Sequence, residues 1–219
     1  MAQRFDNEIT SENLLICEGR DDVAFFKQLI SVRSLPHFCI RDTSKARGEP
    51  GGNKKFGEKL KALKTDRGFK KVRRILIAAD NDEAPTASFS SIQSQIRDVF
   101  GKAPAHPTMT ETISHLQVTI LMIPWTAIPG TLETLCKDAA HHVDPTMSAF
   151  VDKFLRDSGA EGRATPIHRD EMWLRCDLSA RCYQDPFVGL AHVFSDRPSL
   201  IPLNDKSFNH IANLLDKFK

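Results

Sequence analysis

Short apolar runs alternate along this chain with segments whose apolar residues recur at helical spacing, and this alternation limits the fold more than any other feature. Residues 13–17 (NLLIC) form the first run, and residues 20–33 follow with Val23, Phe25, Phe26, Leu29 and Ile30 at helical positions. A second strand is expected over 36–42 (PHFCIRD), then the Gly- and Pro-broken loop KARGEPGGNKK, then an amphipathic stretch over 56–64 with Leu60 and Leu63 inside. Residues 74–79 (RILIAA) read as the clearest buried strand, ending at Asp80-Asn81-Asp82 before a helix that Pro85 opens and that runs through Phe100. After a loop or hairpin arm (GKAPAHPTMTETISH), residues 117–124 give another strand, and the turn Pro129-Gly130 leads into a helix starting at Thr131 or Leu132. Strands that alternate with helices need crossover connections. The expected fold is therefore α/β, with a parallel sheet of about four strands flanked by helices on both faces. Beyond Asp144 the signals are helical, so residues 1–144 are expected to form the α/β domain and 145–219 a helical extension packed on it.

With 219 residues, 41% hydrophobic and 26% charged, the chain has enough material for a core without staples. No eighteen apolar residues run together, and the first twenty residues lack the basic-then-apolar order of a secretory signal. A cytoplasmic protein with no membrane association is expected. The five cysteines show no CxxC spacing, so reduced and mostly buried thiols are expected rather than disulfides or a zinc site.

Net charge is +2 overall but segregated: residues 41–74 hold thirteen Lys+Arg against four Asp+Glu, and the remainder holds 17 against 24. A basic block on an acidic body is the pattern of a polyanion contact, with phosphate the leading candidate. Neither a GxSxG nucleophile motif nor a GxxxxGK[ST] phosphate loop occurs. His141-His142, at a helix end, are expected to meet the terminal carbonyls; Trp125 and Trp173, and Phe25, Phe26, Phe89, Phe150 and Phe154, are expected to pack in the core.

In an open parallel sheet, ligands bind beyond the carboxyl ends of the strands. That rule selects Glu18 after the first strand with Asp22 one helical turn on, Asp80 and Asp82 after the third, and Glu133 at the start of the helix after the fourth. Crowded carboxylates repel unless a cation neutralises them, and a hard divalent ion such as Mg²⁺ or Mn²⁺ suits an all-oxygen set. Asp80 and Asp82 point the same way if the backbone there stays extended, and Gly19 is expected to supply an unusual backbone angle that exposes Glu18.

The run LLICEGRDDVAFFKQL, the later ILIAADND and their order resemble the Toprim domain shared by topoisomerases, primases, small ribonucleases and the overcoming-lysogenisation-defect nucleases. The resemblance spans roughly the first 140 residues. It implies a Rossmann-like sheet, Glu18 as general acid/base or metal ligand, and Asp80 and Asp82 as Mg²⁺ ligands. The EGxxD form resembles the nuclease branches, where an acid at the position of Asp22 joins the metal site, and IPGTLETLC resembles a GxLE element of little-characterised Toprim-like proteins, which points to Glu133. A single tyrosine, Tyr183, and the lack of zinc-ribbon cysteines argue against a topoisomerase or a complete primase. The ATPase half of the larger nucleases is either absent or supplied by another chain.

The expectation is thus a Mg²⁺-dependent nuclease acting on DNA or RNA. Glu18, Lys45 and Lys54 are its catalytic candidates, and Lys45, Arg47, Lys54, Lys55 and Lys59 the candidate nucleic-acid contacts. A non-catalytic or partner-dependent nucleic-acid-binding module is the rival, and a metal-dependent phosphatase or nucleotide-processing enzyme a third reading. A homodimer is compatible with all three.

Overall fold

A computed structural model describes residues 8–44 and 51–219 of the chain. Its centre is a five-stranded sheet in which β1 (Asn13–Cys17), β2 (Cys39–Asp42), β3 (Arg74–Asp80) and β5 (Leu116–Ile123) run parallel in the order β2-β1-β3-β5. The register pairs Leu14 with both Cys39 and Ile75, and Ala78 with Leu121. The fifth strand, β4 (Thr110–Ile113), lies in the segment expected to be a loop or a hairpin arm and takes the second form: it pairs antiparallel with β5, and the Thr110 and Thr119 hydroxyls share a hydrogen bond of 2.8 Å. One more strand than the about four expected therefore completes a mixed α/β, Rossmann-like sheet.

Every parallel strand is buried on both sides, which is why each reads as an unbroken apolar run. Alternate residues divide two cores. Leu15, Cys17, Leu76, Ala78, Leu121 and Ile123 face α1 (Arg20–Val32), α4 (Leu132–Val143) and the C-terminal helices α5 (Pro145–Asp157), α6 (Pro166–Arg181), α7 (Leu190–Asp196) and α8 (Asn209–Asp216). Leu14, Ile16, Ile75, Ile77, Val118, Ile120 and Met122 face α2 (Phe56–Lys64) and α3 (Pro85–Phe100).

Phe25 ties the C-terminal helices to the sheet, with Phe194 and Phe208 at ring-centroid distances of 5.6 and 5.4 Å. At the opposite end of the strands, the Phe218 carbonyl accepts hydrogen bonds from Asn13 Nδ2 (3.0 Å) and Arg74 Nη1 (2.5 Å). The five cysteines are free, and four of them are buried. Among the described residues, no helix is long and apolar enough to cross a membrane.

Two groups of aromatic and imidazole side chains depart from expectation. Phe150 and Phe154 are not core residues: they stand 64% and 58% exposed on α5, along a cavity of about 460 Å³ between α5 and α6. The histidines at the end of α4 take side-chain partners instead of terminal carbonyls. His141 stacks on Trp173 at 4.2 Å, and His142 Nδ1 lies 3.0 Å from an Asp205 carboxylate oxygen.

Because Phe25 is fully buried at the junction of the sheet, α7 and the 3-10 turn Lys206–Phe208, Phe25→Ala should cost about 3–5 kcal/mol. Phe150→Ala on the exposed ridge should stay within about 0.5 kcal/mol. Urea unfolding of the two variants checks both values; equal costs would contradict this division between core and surface.

Candidate metal centre

The carboxyl ends of β1 and β3 and the start of α4 bring Glu18, Asp22, Asp80, Asp82 and Glu133 to one edge of the sheet. Asp80 is the middle of the group, close enough to feel the charges of Asp22, Glu18, Glu133 and Asp82. Backbone amides hold the acids in place. Glu18 Oε1 accepts from Asp80 N (3.0 Å), Asp22 Oδ2 reaches back to Gly19 N (2.8 Å), and Asp80 Oδ1 accepts from Leu132 N (3.1 Å), the first amide of α4. The last two sit at helix starts, where the free N–H groups favour negative charge. Glu133 Oε2 accepts from the Thr131 hydroxyl (2.9 Å), and Asp82 Oδ2 from Asn53 Nδ2 (3.1 Å).

Two expectations about local backbone are corrected here. Asp80 and Asp82 do share a cavity, but not through an extended strand end: the chain turns at Asp82, which takes a left-handed φ of 51°, a conformation aspartate tolerates better than most residues. Between them Asn81 is fully buried and donates from Nδ2 to the carbonyls of Thr126 (3.1 Å) and Ile128 (2.7 Å), so it pins the loop before α4. Gly19, for its part, is extended (φ −141°) and needs no glycine. The glycine required at this edge is Gly51, where an added Cβ would fall 1.8 Å from the Glu18 carbonyl oxygen. Thr43 stitches the same approach, donating to that oxygen (2.9 Å) and accepting from Gly52 N (2.9 Å).

A cavity of about 570 Å³ opens at this edge, lined by Asp80, Asp82, Glu83, Ser88, Thr131 and Glu133 from the α/β part and by Thr165, Ile167, His168 and Glu171 from the start of α6. Glu18 is half-buried and Asp22 is 8% exposed behind this lining.

Burial pushes Glu18 from its usual 4.5 up to about 7, with the charges of Asp22 and Asp82 adding to the rise. Asp22 likewise moves from 3.8 to about 7, chiefly by burial and then by the charge of Glu133. Asp80 is raised well above its usual 3.8, again by burial first and then by the charge of Asp22, and burial also raises Glu133. No lysine or arginine among the described residues forms an ion pair with any of the five.

The donor chemistry fits a hard divalent cation: oxygen ligands only, negative charge that no lysine or arginine among the described residues pairs with, and one oxygen each on Asp80 (Oδ2) and Asp82 (Oδ1) without a hydrogen-bond partner among the described residues. The cage is not preformed. No three His, Cys, Asp or Glu side chains among the described residues stand close enough together to hold an ion as they are.

The three basic candidates that are described lie outside the cavity lining. Lys45 and Arg47 fall outside the described residues. Lys54 is exposed and Lys55 half-buried in the 3-10 turn Asn53–Lys55, and Lys59 Nζ donates to the Ser44 carbonyl (3.3 Å). None of these three lines the cavity, although their turn is joined to it through Asn53. Asn53, Ser88, His168 and Glu171 have no sequence signature that would have marked them; Asn81 lies inside the Asp-x-Asp motif but carries no chemistry in it.

The family described as "Protein of unknown function (DUF3226)" matches residues 12–184 of the chain. The chain belongs to the DUF3226 family. No curated protein and no solved structure matches it. The DUF3226 match spans all five acids and continues through α5 and α6, so both walls of the cavity lie within it.

A carboxyl more easily protonated in the folded chain than in the unfolded one contributes stability below its ordinary pKa and loses it as pH rises toward the folded value. In chelator, the wild-type midpoint should therefore fall between about pH 4.5 and 7. Asp80→Asn keeps an oxygen for the Leu132 amide and removes the central charge, so it should melt at least ~2–4 °C above wild type at pH 7.5, the shift that about 1 kcal/mol makes in a chain of this size. Calorimetry across this range checks the sign; identical pH slopes in the two proteins would exclude the acidic edge as the cause.

Proposed function

We propose that this chain is a divalent-metal-dependent phosphodiesterase acting on nucleic acid, DNA or RNA, on a Toprim-like sheet edge. The observation that carries the reading is the convergence of Asp80, Asp82 and Glu133 on one cavity, with Glu18 and Asp22 close enough to act on Asp80, and no ion pair to any of the five from a lysine or arginine among the described residues. Amide hydrogen bonds hold these acids in place at a cost in repulsion, and a bound cation is what recovers that cost. Asp80, Asp82 and Glu133, which line the cavity, would hold Mg²⁺ or Mn²⁺, with Glu18 and Asp22 behind them. Bound there, the ion would neutralise charge developing on a phosphate and favour ionisation of an attacking water.

The side chains have separable tasks. Asp80, fixed by the first amide of α4, ties the cation to the rigid sheet, and Asp82, fixed by Asn53, ties it to the turn that carries the lysines. Glu18 has one oxygen anchored on the Asp80 amide, which leaves its carboxylate to orient water and take a proton from it.

The basic block favours a polymeric substrate over a small phosphate ester. Lys61 and Lys64 are exposed on α2, Arg67, Lys70 and Lys71 on the 3-10 turn Arg67–Lys71, and Arg73 just before β3, all outside the cavity's own lining. A positive surface that runs from the Asn53–Lys55 turn along α2 toward the amino ends of the strands suits a backbone of repeated phosphates.

Purified protein with Mg²⁺ or Mn²⁺ should cleave single- or double-stranded DNA or RNA, and Asp80→Asn or Glu18→Gln should lower the rate at least ~100-fold while leaving the circular dichroism spectrum unchanged. Absence of metal-dependent cleavage on all four substrates would refute the reading. Replacing Lys61, Lys70 and Lys71 together by alanine should weaken binding and reduce the slope of log K against log salt by about 2–3. An unchanged slope would remove this face from the substrate path.

A further inference from the structure

The cavity has a second wall, which the α/β part does not supply. Thr165, Ile167, His168 and Glu171 line it from the first turns of α6. That helix is firmly seated. Thr165 caps it, Ile167, Trp173 and Leu174 are buried beneath it, Trp173 Nε1 donates to Asp152 Oδ1 (2.7 Å), and Lys137 pairs with Asp170 (2.8 Å). His168 therefore projects from a fixed turn.

Among the described residues lining the cavity, His168 is the one side chain able to carry positive charge; the other titratable groups are Asp80, Asp82, Glu83, Glu133 and Glu171. Its Nδ1 lies 3.2 Å from Thr165 Oγ1, which orients the ring, and its Nε2 has no hydrogen-bond partner among the described residues. Cleavage of a phosphodiester leaves a nucleoside oxygen that departs far more easily once protonated. Carboxylates that ligate a cation are held anionic and do not supply that proton, whereas an imidazolium has one to give.

We propose that His168 is a catalytic residue that delivers the leaving-group proton in this hydrolysis; the inference rests on the phosphodiesterase reading above. Water oxygen forms the new bond to phosphorus as the bond from phosphorus to the nucleoside oxygen breaks. The electron pair goes to that oxygen, and the proton on Nε2 of the imidazolium joins it. The ring is left neutral, with Nδ1–H donating to Thr165 Oγ1. The attacking water's proton passes to Glu18 or to solvent, and solvent recharges the imidazole.

The test compares wild type with His168→Gln on two Mg²⁺-activated substrates: an ordinary oligonucleotide, and the same oligonucleotide with sulfur replacing the leaving oxygen, since a thiolate departs without a proton. His168→Gln should lose about 100- to 10,000-fold on the oxygen substrate and less than about 10-fold on the sulfur one, with an unchanged melting temperature because the residue is exposed. Equal losses on both substrates would make His168 a phosphate-binding group, and no loss on either a bystander; each overturns the inference while the phosphodiesterase reading stands. A wild-type protein that cleaves neither substrate overturns both.

Discussion

Like charges repel more strongly where water is partly excluded, and one edge of this sheet is built around that repulsion. The sheet leaves little choice about where the acids go. Its parallel strands are covered on both faces, so polar groups are confined to the strand ends, and the carboxyl ends are where helices begin and present unpaired N–H groups. Asp22 takes an amide at the start of α1 and Asp80 one at the start of α4, which offsets part of the charge and fixes the side chains before anything binds. The remainder of the charge is left over. In the proposed reading this remaining unfavourable energy is what makes the edge receptive to a cation; burial first, and the neighbouring charges after it, raise the carboxyls of Glu18 and Asp22 above their ordinary values.

How much of this was legible in the sequence follows from the range of the interactions. Strands buried on both faces announce themselves as apolar runs, and helices with one buried stripe as 3.6-residue patterns, so the element order could be read directly. The five acids could be picked out because topology alone assigns strand ends to a single edge. Local backbone was less accessible: Asp82 reaches the cavity through a left-handed turn rather than strand alternation, and the glycine demanded by close packing is Gly51 in the loop, not Gly19 beside the glutamate. Phe150 and Phe154 follow the helical period of α5 yet lie on its outer side, because periodicity identifies a stripe without saying what covers it. Asn53 and His168 had no signal, since each joins the site by a tertiary contact that nothing in its neighbouring residues encodes.

The separation of charge along the chain also acquires a spatial meaning. From Lys54 to Lys71 the described basic residues of the 41–74 block lie on α2 and its flanking turns, on the face of the sheet opposite the C-terminal helices, whereas Arg41 and Arg74 belong to β2 and β3, and the acids gather at the carboxyl ends of the strands. The turn at Asn53 belongs to both regions. Its side-chain amide donates to Asp82, its carbonyl accepts from Gln95 Nε2 on α3 (2.7 Å), and Lys54 and Lys55 follow at once. A polyanion drawn to the described lysines would thus be tied by one residue to the acids, and none of those lysines lines the cavity.

The C-terminal helices bear on both stability and chemistry. Without them one face of the sheet and much of α1 would be bare, since Phe25, Phe26 and Leu29 share a core with Phe194, Phe208 and Leu215. The same helices carry the second wall of the cavity, because α6 packs on α4, the helix whose first amide holds Asp80 and whose first turn carries Glu133. Core packing and site geometry are therefore one mechanical unit: a change that loosened α6 from α4 would expose apolar surface and widen the cavity together. This coupling gives a physical reason for a helical segment of this length on an α/β domain, since covering the sheet alone would not require its Thr165–His168 turn to stand over the strand ends.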